Sequence, residues 1–370
     1  MPANVIAYEW PLNGTVHIAY QTNDNHIREV VGQANGKWRD VDVTRATGAP
    51  ALENAIMAGS AWDAGRTHQV DYVSPMSPDG HVHEVVQFQN HPWSYEDLLD
   101  HAGVSGSDGR TLAAYDWRSA GTKQVVYTSL EGHIYELAAG REGPWQRTDL
   151  TQATGAPIAE IPLLSAFAWE HGKSKHVVYM SGDGHIHELT MTVGGSWSHD
   201  DLTERTGAPS ADGNALAGYG WERAGTRQIV YTGYDSNIYE LVAGVDHVWH
   251  YVDLNSLTSA PRVSGTALAA YAWETNDSKQ VVYVAENHHI QLLQTDESGR
   301  WTHSDLTQRT GAPVASDTLI LGYEWSAQFA QHIVYLDTRE NPHLQSLLLE
   351  HGSSWKHADL TDLTGAQALV

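Results

Sequence analysis

Seven aspartates, Asp42, Asp97, Asp149, Asp201, Asp253, Asp305 and Asp359, each lie four residues after a tryptophan and just before an aliphatic residue. A carboxylate repeated at fixed spacing can serve acid–base chemistry or bind a metal. It can equally accept hydrogen bonds from loop N–H groups, and that structural reading fits a polar residue recurring at one place in every copy of a repeat. Six histidines, His26, His81, His133, His185, His289 and His343, form a second column, whose fifth place holds Asn237. Asparagine replaces histidine neither as a zinc ligand nor as a proton shuttle, so this column reads as turn histidines. There is no His-Glu-x-x-His, no nucleophile elbow and no Ser-x-Asp-x-Gly-x-Thr-Trp box. Catalysis needs groups in different roles. Here the same types recur, which suits repeated binding and not turnover, so no enzyme activity and no cofactor are expected.

The most informative stretch follows a tryptophan. One copy reads Tyr219, Gly220, Trp221, Glu222, Arg223, Ala224, Gly225, Thr226. An acid directly follows the tryptophan as Asp63, Glu170, Glu222 and Glu274, and a hydroxyl stands five residues on as Thr15, Thr67, Thr122, Ser174, Thr226 and Ser278. Indole planes stack on the apolar patch of a pyranose, while carboxylates accept its hydroxyls, so this chemistry points to sugars. Packing of the blades is the competing use of the same tryptophans.

The elements that must hold these residues repeat with them. The 14 tryptophans fall into two series: Trp10, Trp62, Trp117, Trp169, Trp221, Trp273, Trp325, and Trp38, Trp93, Trp145, Trp197, Trp249, Trp301, Trp355. Steps within a series are 52 to 55 residues, giving seven copies, about 1–50, 51–108, 109–160, 161–212, 213–264, 265–316 and 317–370. Each copy holds four short sheet-favouring runs separated by turn residues, as in "TLAAYDW", "KQVVYT", "GHIYEL" and "WQRTDLT". The fold expected is all-β: one seven-bladed β-propeller, four antiparallel strands per blade, with almost no helix. A β-solenoid would need coils shorter than about 30 residues. Alternating strands place both tryptophan series near one face, with the second series, beside Gly-rich loops, the more exposed. The Asp-Gly-His turns and Thr-Gly-Ala-Pro linkers fall on the other face.

Composition excludes several classes. There is no cysteine, so disulfide and thiol chemistry are out. Asp+Glu number 45 against 21 Lys+Arg, a formal charge of -24 that repels nucleic acid and anionic lipid. The start, "MPANVIAYEW", carries no secretory signal, and no apolar run suits membrane insertion, so synthesis in the cytoplasm is expected, with release by a non-classical route left open.

The recurring phrase, Trp-Glu-x-x-Gly-[Ser/Thr]-[Lys/Arg]-Gln-Val-Val-Tyr, then Asp-Gly-His-Ile-Tyr-Glu-Leu, then Trp-x-x-x-Asp-Leu-Thr-x-x-Thr-Gly-Ala-Pro, resembles the seven-bladed propeller lectins of Photorhabdus across the whole chain. That resemblance implies repeated sugar pockets between blades for L-fucose, galactose-type or O-methylated sugars, with no metal, acting through multivalency and as a homo-oligomer on host glycans. Carried over, the sugar-binding residues are Tyr219, Trp221, Glu222, Ala224, Gly225, Thr226 and Trp249, then Trp169, Glu170, Ser174 and Trp197, then Tyr271, Trp273, Glu274, Ser278 and Trp301, with Trp145. Copy 2 departs at Ser60, copy 3 with Arg118, copy 1 with Pro11, and copy 7 with Ser326 and Ala330. The alternatives are a protein-interaction propeller and a propeller glycosidase.

Overall fold

The computed structural model describes residues 5–74, 80–105, 109–296 and 299–366. Within each copy, second strands such as Thr122–Thr128 carry unbroken runs like Lys-Gln-Val-Val-Tyr and are buried on both faces. Fourth strands such as Trp249–Asp253 are short and partly exposed. That gradient sets the layout: seven separate four-stranded antiparallel sheets, each paired in chain order from first strand to fourth. First strands of successive blades adjoin one another, including Ala315–Trp325 of blade 7 with Val5–Trp10 of blade 1. The seven-bladed propeller expected from the repeat is the observed fold.

The core lies between blades. In one apolar cluster Phe167, Trp169 and Val178 of blade 4 meet Ile229, Tyr231, Leu241 and Trp249 of blade 5. Each of the other large clusters likewise joins two adjoining blades. A blade therefore cannot bury its faces alone, which is why the unit repeats until the ring closes.

One expectation needs correction. The segment after each fourth strand is a five-residue α-helix and not a turn, as in Leu202–Thr206. Asp201 caps it by accepting from Glu204 N–H, and Gly207 ends it at φ 67, a left-handed conformation that a Cβ disfavours. All seven column aspartates cap such a helix. One turn is too short to show a 3.6-residue period, but cap and Gly frame it. The second carboxylate oxygen accepts from the histidine column: Asp201 Oδ2 lies 2.7 Å from His185 Nδ1, and Asp253 Oδ2 accepts Asn237 Nδ2–H at 3.0 Å. Both columns are thus structural, tying the third strand to the linker.

Candidate functional site: the grooves between blades

The sheet register sorts each blade's residues onto two faces. In blade 5, Arg227, Ala243 and Trp249 form one cross-strand rung, and Trp221, Thr226 and Gly244 form the next. Adjacent rungs point to opposite faces, so the two tryptophans of one copy line different grooves. Trp221 shares its groove with Trp301 of blade 6, and Trp249 shares its groove with Trp169 of blade 4.

Between each such pair sits a cation from strand two of the following blade. Lys123 Nζ lies 5.9 Å from the Trp62 ring and 4.9 Å from that of Trp145. Lys175 Nζ lies 5.1 Å from Trp117 and 4.9 Å from Trp197. The Arg227 guanidinium lies 5.2 Å from Trp169 and 4.6 Å from Trp249, and Lys279 Nζ 5.9 Å from Trp221 and 4.9 Å from Trp301. Attraction of a cation to an indole face grows as water is excluded. Each cation also pairs with a buried glutamate on strand three of the preceding blade: Lys123 with Glu84 at 2.6 Å, Lys175 with Glu136 at 2.7 Å, Arg227 with Glu188 at 3.1 Å and Lys279 with Glu240 at 2.7 Å. Burial pushes Glu136 above the ordinary carboxylate range although Lys175 pulls it down. Glu188 is also raised by burial, but His176 and Arg227 together outweigh it and hold the carboxyl at about 2.

A glutamine stands beside two of these pairs. Gln124, beside Glu136–Lys175, donates Nε2–H to Thr122 Oγ1 at 2.5 Å and leaves its buried Oε1 without a partner. Gln228 repeats this with Thr226 beside Glu240–Lys279, and Gln280 does so with Ser278 in the next groove, between blades 6 and 7. Three of these grooves open into cavities of about 870, 560 and 420 Å³, between blades 2 and 3, 3 and 4, and 4 and 5. The middle cavity is lined by Trp117, Thr122, Gln124, Glu136, Lys175 and Trp197 among others.

The remaining grooves differ. Between blades 1 and 2, His68 takes the cation's place, 4.4 Å from the Trp10 ring and 4.7 Å from that of Trp93, with Glu29 opposite. Between blades 6 and 7 the acid position is Leu292, and Gln331 accepts from Tyr271 OH at 2.7 Å. Between blades 7 and 1, Val16, Trp325 and Ala330 form an apolar seal with Trp38.

The residues carried over from the lectin resemblance divide between groove and clasp. Trp145, Trp197, Trp249 and Trp301, with Trp169 and Trp221, flank groove cations. Thr226 and Ser278 hold groove glutamines, while Ser174 Oγ lies 2.7 Å from His176 Nε2. Tyr219, Tyr271 and Trp273 are buried in the core. The second tryptophan series is half-buried, or buried at Trp145 and Trp249, and is the more exposed of the two as expected; four of its rings, Trp145, Trp197, Trp249 and Trp301, pack on the cations.

The acids lie elsewhere. Glu222 accepts the backbone N–H groups of Glu170 and His171 from blade 4, at 2.8 and 2.5 Å. Glu170 does the same to Arg118 and Ser119 of blade 3, and Glu274 to Glu222 and Arg223 of blade 5. These carboxylates staple one blade's loop to the next. Gly225, at φ 64, abuts the His171 ring, where a Cβ would come within 2.9 Å, and Ala224 is exposed beside it. In blades 7 and 1 the acid before the tryptophan does this work: Glu324 on Glu274 and Thr275, Glu9 on Ala327 and Ser326. The groove pair went unread because its partners come from different copies. Its signal was a constant separation of 39 residues, from Glu84–Lys123 to Glu240–Lys279.

No protein-family model and no curated protein matches the sequence. Solved structures do. The BP39L lectin from Burkholderia pseudomallei is similar over 96% of this chain and 98% of its own, with a TM-score of 0.72 at 14% identity. The Aleuria aurantia lectin, a six-bladed propeller with a novel fucose recognition mode, is similar over 82% and 95%, with a TM-score of 0.54 at 19% identity. The SapL1 lectin, solved with alpha methyl fucoside, is similar over 82% and 95%, with a TM-score of 0.50 at 14% identity. At such identities the likeness is one of fold.

Proposed function

We propose that this chain is a non-catalytic lectin whose sugar pockets are the inter-blade grooves, with fucose, galactose-type or O-methylated sugars as ligands. The observation that carries the reading is the fourfold repetition of one polar set, a glutamate–cation pair between two indoles. A carboxylate and an ammonium or guanidinium side by side match the acceptor and donor capacity of neighbouring sugar hydroxyls, and indole edges match the apolar side of the ring. The lectins of like fold, two of them with fucose in their descriptions, support this choice of ligand. Several weak pockets on one rigid ring act together on a dense glycan surface, and self-association would multiply them.

Titration with methyl α-L-fucoside, followed by heat and by tryptophan emission, tests the reading, with a glycan array covering the other sugars. More than one site per chain is expected. The double change E136M/K175M replaces one buried pair by apolar groups of similar length, a swap that commonly leaves stability intact. It should remove one site and keep the fold. No binding in the titration and none on the array would overturn the proposal.

A further inference from the structure

The groove between blades 1 and 2 is chemically unlike the other four that carry an acid. Glu29 is buried as its counterparts are, at 1% exposure, but among the described residues no lysine or arginine pairs with it. Two imidazoles do. His17 Nδ1 lies 3.0 Å from Glu29 Oε1, out of hydrogen-bond alignment and with no other partner. His68 Nδ1 lies 3.7 Å from the same oxygen. The three donor atoms fall within 4.8 Å of one another, and both histidines are buried. Tyr8 OH joins them, 2.8 Å from Glu29 Oε1 and 3.1 Å from His68 Nδ1.

The outer nitrogens are already engaged. His68 Nε2 lies 2.9 Å from Gln87 Oε1, an acceptor only, so this nitrogen carries the proton and Nδ1 turns a lone pair inward. His17 Nε2 lies 2.8 Å from Thr15 Oγ1. Hydrogen bonds on the far side of each ring are what fixes metal-ligating histidines. A tetrahedral ion with bonds of about 2.0–2.1 Å separates its ligand atoms by about 3.4 Å. Four of the separations, 2.8, 3.0, 3.1 and 3.7 Å, bracket that edge.

We propose that His17, His68 and Glu29, with Tyr8 at the fourth corner, form a buried site for a divalent transition metal, zinc above all. Two imidazoles and one carboxylate suit zinc better than calcium or magnesium, which take oxygen ligands. The ion supplies the positive charge that lysine or arginine brings to the other acidic grooves, and it ties blade 1 to blade 2. The sequence alone points away from a metal, because the three ligands sit on three strands of two copies and only the fold brings them together. The site does not depend on the sugar-binding reading.

The neighbouring blades supply the control. Gln124 and Lys123 occupy in blade 3 the positions of His17 and His68. The variant H17Q/H68K therefore rebuilds an existing groove, with the introduced ammonium set to pair with Glu29, and is designed to fold. Because the ligands are buried, metal is offered during folding: wild type and variant are produced in zinc-supplemented medium and their metal content is measured after gel filtration. The half-buried groups His81, Asp97, Asp100 and His343, Asp359, Asp362, in each of which only the last aspartate is exposed, are common to both proteins and cancel in the comparison. Wild type should hold about one equivalent more zinc than the variant, and only wild type should lose melting temperature when refolded with a chelator. Equal zinc content overturns the site. Should the variant not fold, cobalt decides: wild type refolded with Co²⁺ must show the strong visible bands of a tetrahedral ion, and their absence overturns the site equally.

Discussion

Asp201 uses its two oxygens for two jobs, capping a helix through Oδ1 and holding His185 through Oδ2. The two jobs are separable. Asp201→Ala removes both and should lower stability by about 1 kcal/mol, within a range of about 0.5 to 2 kcal/mol for lost N-caps. His185→Asn keeps a donor, as Asn237 does in blade 5, and should cost well under that; chemical denaturation of the two variants checks the order. The same contacts set an acid limit. Burial raises Asp359, but Asp362 N–H, Gln345 and His343 outweigh it and hold the carboxyl at about 2. Its pKa is lower folded than unfolded, so its contribution is complete above the unfolded value near 4 and is lost as pH falls from there toward 2. Asp201 and Asp305 are lowered too, so melting temperature should fall steeply below about pH 4. A flat profile down to pH 2 would refute this account.

At the scale of strands and loops, what decides stability is the contact between blades. Glu222 gives both oxygens to the loop of blade 4, so Glu222→Ala strands two amides and should destabilise by about 1–3 kcal/mol. It should leave sugar titration of the groove between blades 5 and 6 unchanged. A lost sugar site with unchanged stability would instead make this carboxylate a ligand. The groove pair behaves oppositely on single and double change. Lys175→Met alone leaves Glu136 buried without its partner, at a cost of about 3–5 kcal/mol, while E136M/K175M should be close to wild type. Equal melting temperatures for single and double variants would show the pair to be solvated.

Legibility also divides at this scale. The seven copies and their four strands are readable because two tryptophan series and the turn residues keep register along one chain. The histidine and aspartate columns are readable as structural because a column that tolerates Asn237 cannot hold the chemistry. Helix capping is half visible, in Asp before and Gly after five residues too few to show a period. What aligned copies cannot show is which face of one blade meets which face of the next. Glu136 and Lys175 are unremarkable within their own copies and become a site only across the groove, and the stapling role of Glu170 and Glu222 is hidden for the same reason.

The whole molecule is a ring, and its seam is built differently from its other joints. Blades 1 and 7 are each one contiguous segment among the described residues, so no shared sheet locks the ends. The seam is held by Glu9 on the Ser326–Ala327 loop, by Trp325 Nε1–H donating to Gly14 O at 3.2 Å, and by the apolar set around Val16 and Trp38. Deleting one blade should leave the other six unable to meet at this seam and expose sheet edges, giving aggregation. A finer test rewrites the seam as an ordinary groove. Val16 occupies the column of Lys123 and Lys175, and Ser346 that of Glu84 and Glu136. Val16→Lys places an ammonium against Trp38, Trp325 and a neutral Ser346, where its charge is buried without a partner, and should lower the melting temperature strongly. Adding Ser346→Glu supplies the carboxylate that five other grooves possess, four of them paired with a lysine or arginine, so V16K/S346E should recover much of the loss. The coupling energy of the cycle should exceed about 1 kcal/mol, since the two groups interact directly when desolvated. Additive effects would mean that the seam's geometry, and not only its side chains, differs from that of the other grooves. Recovery would show that the apolar seal is a choice of sequence at a joint the fold itself treats like the others.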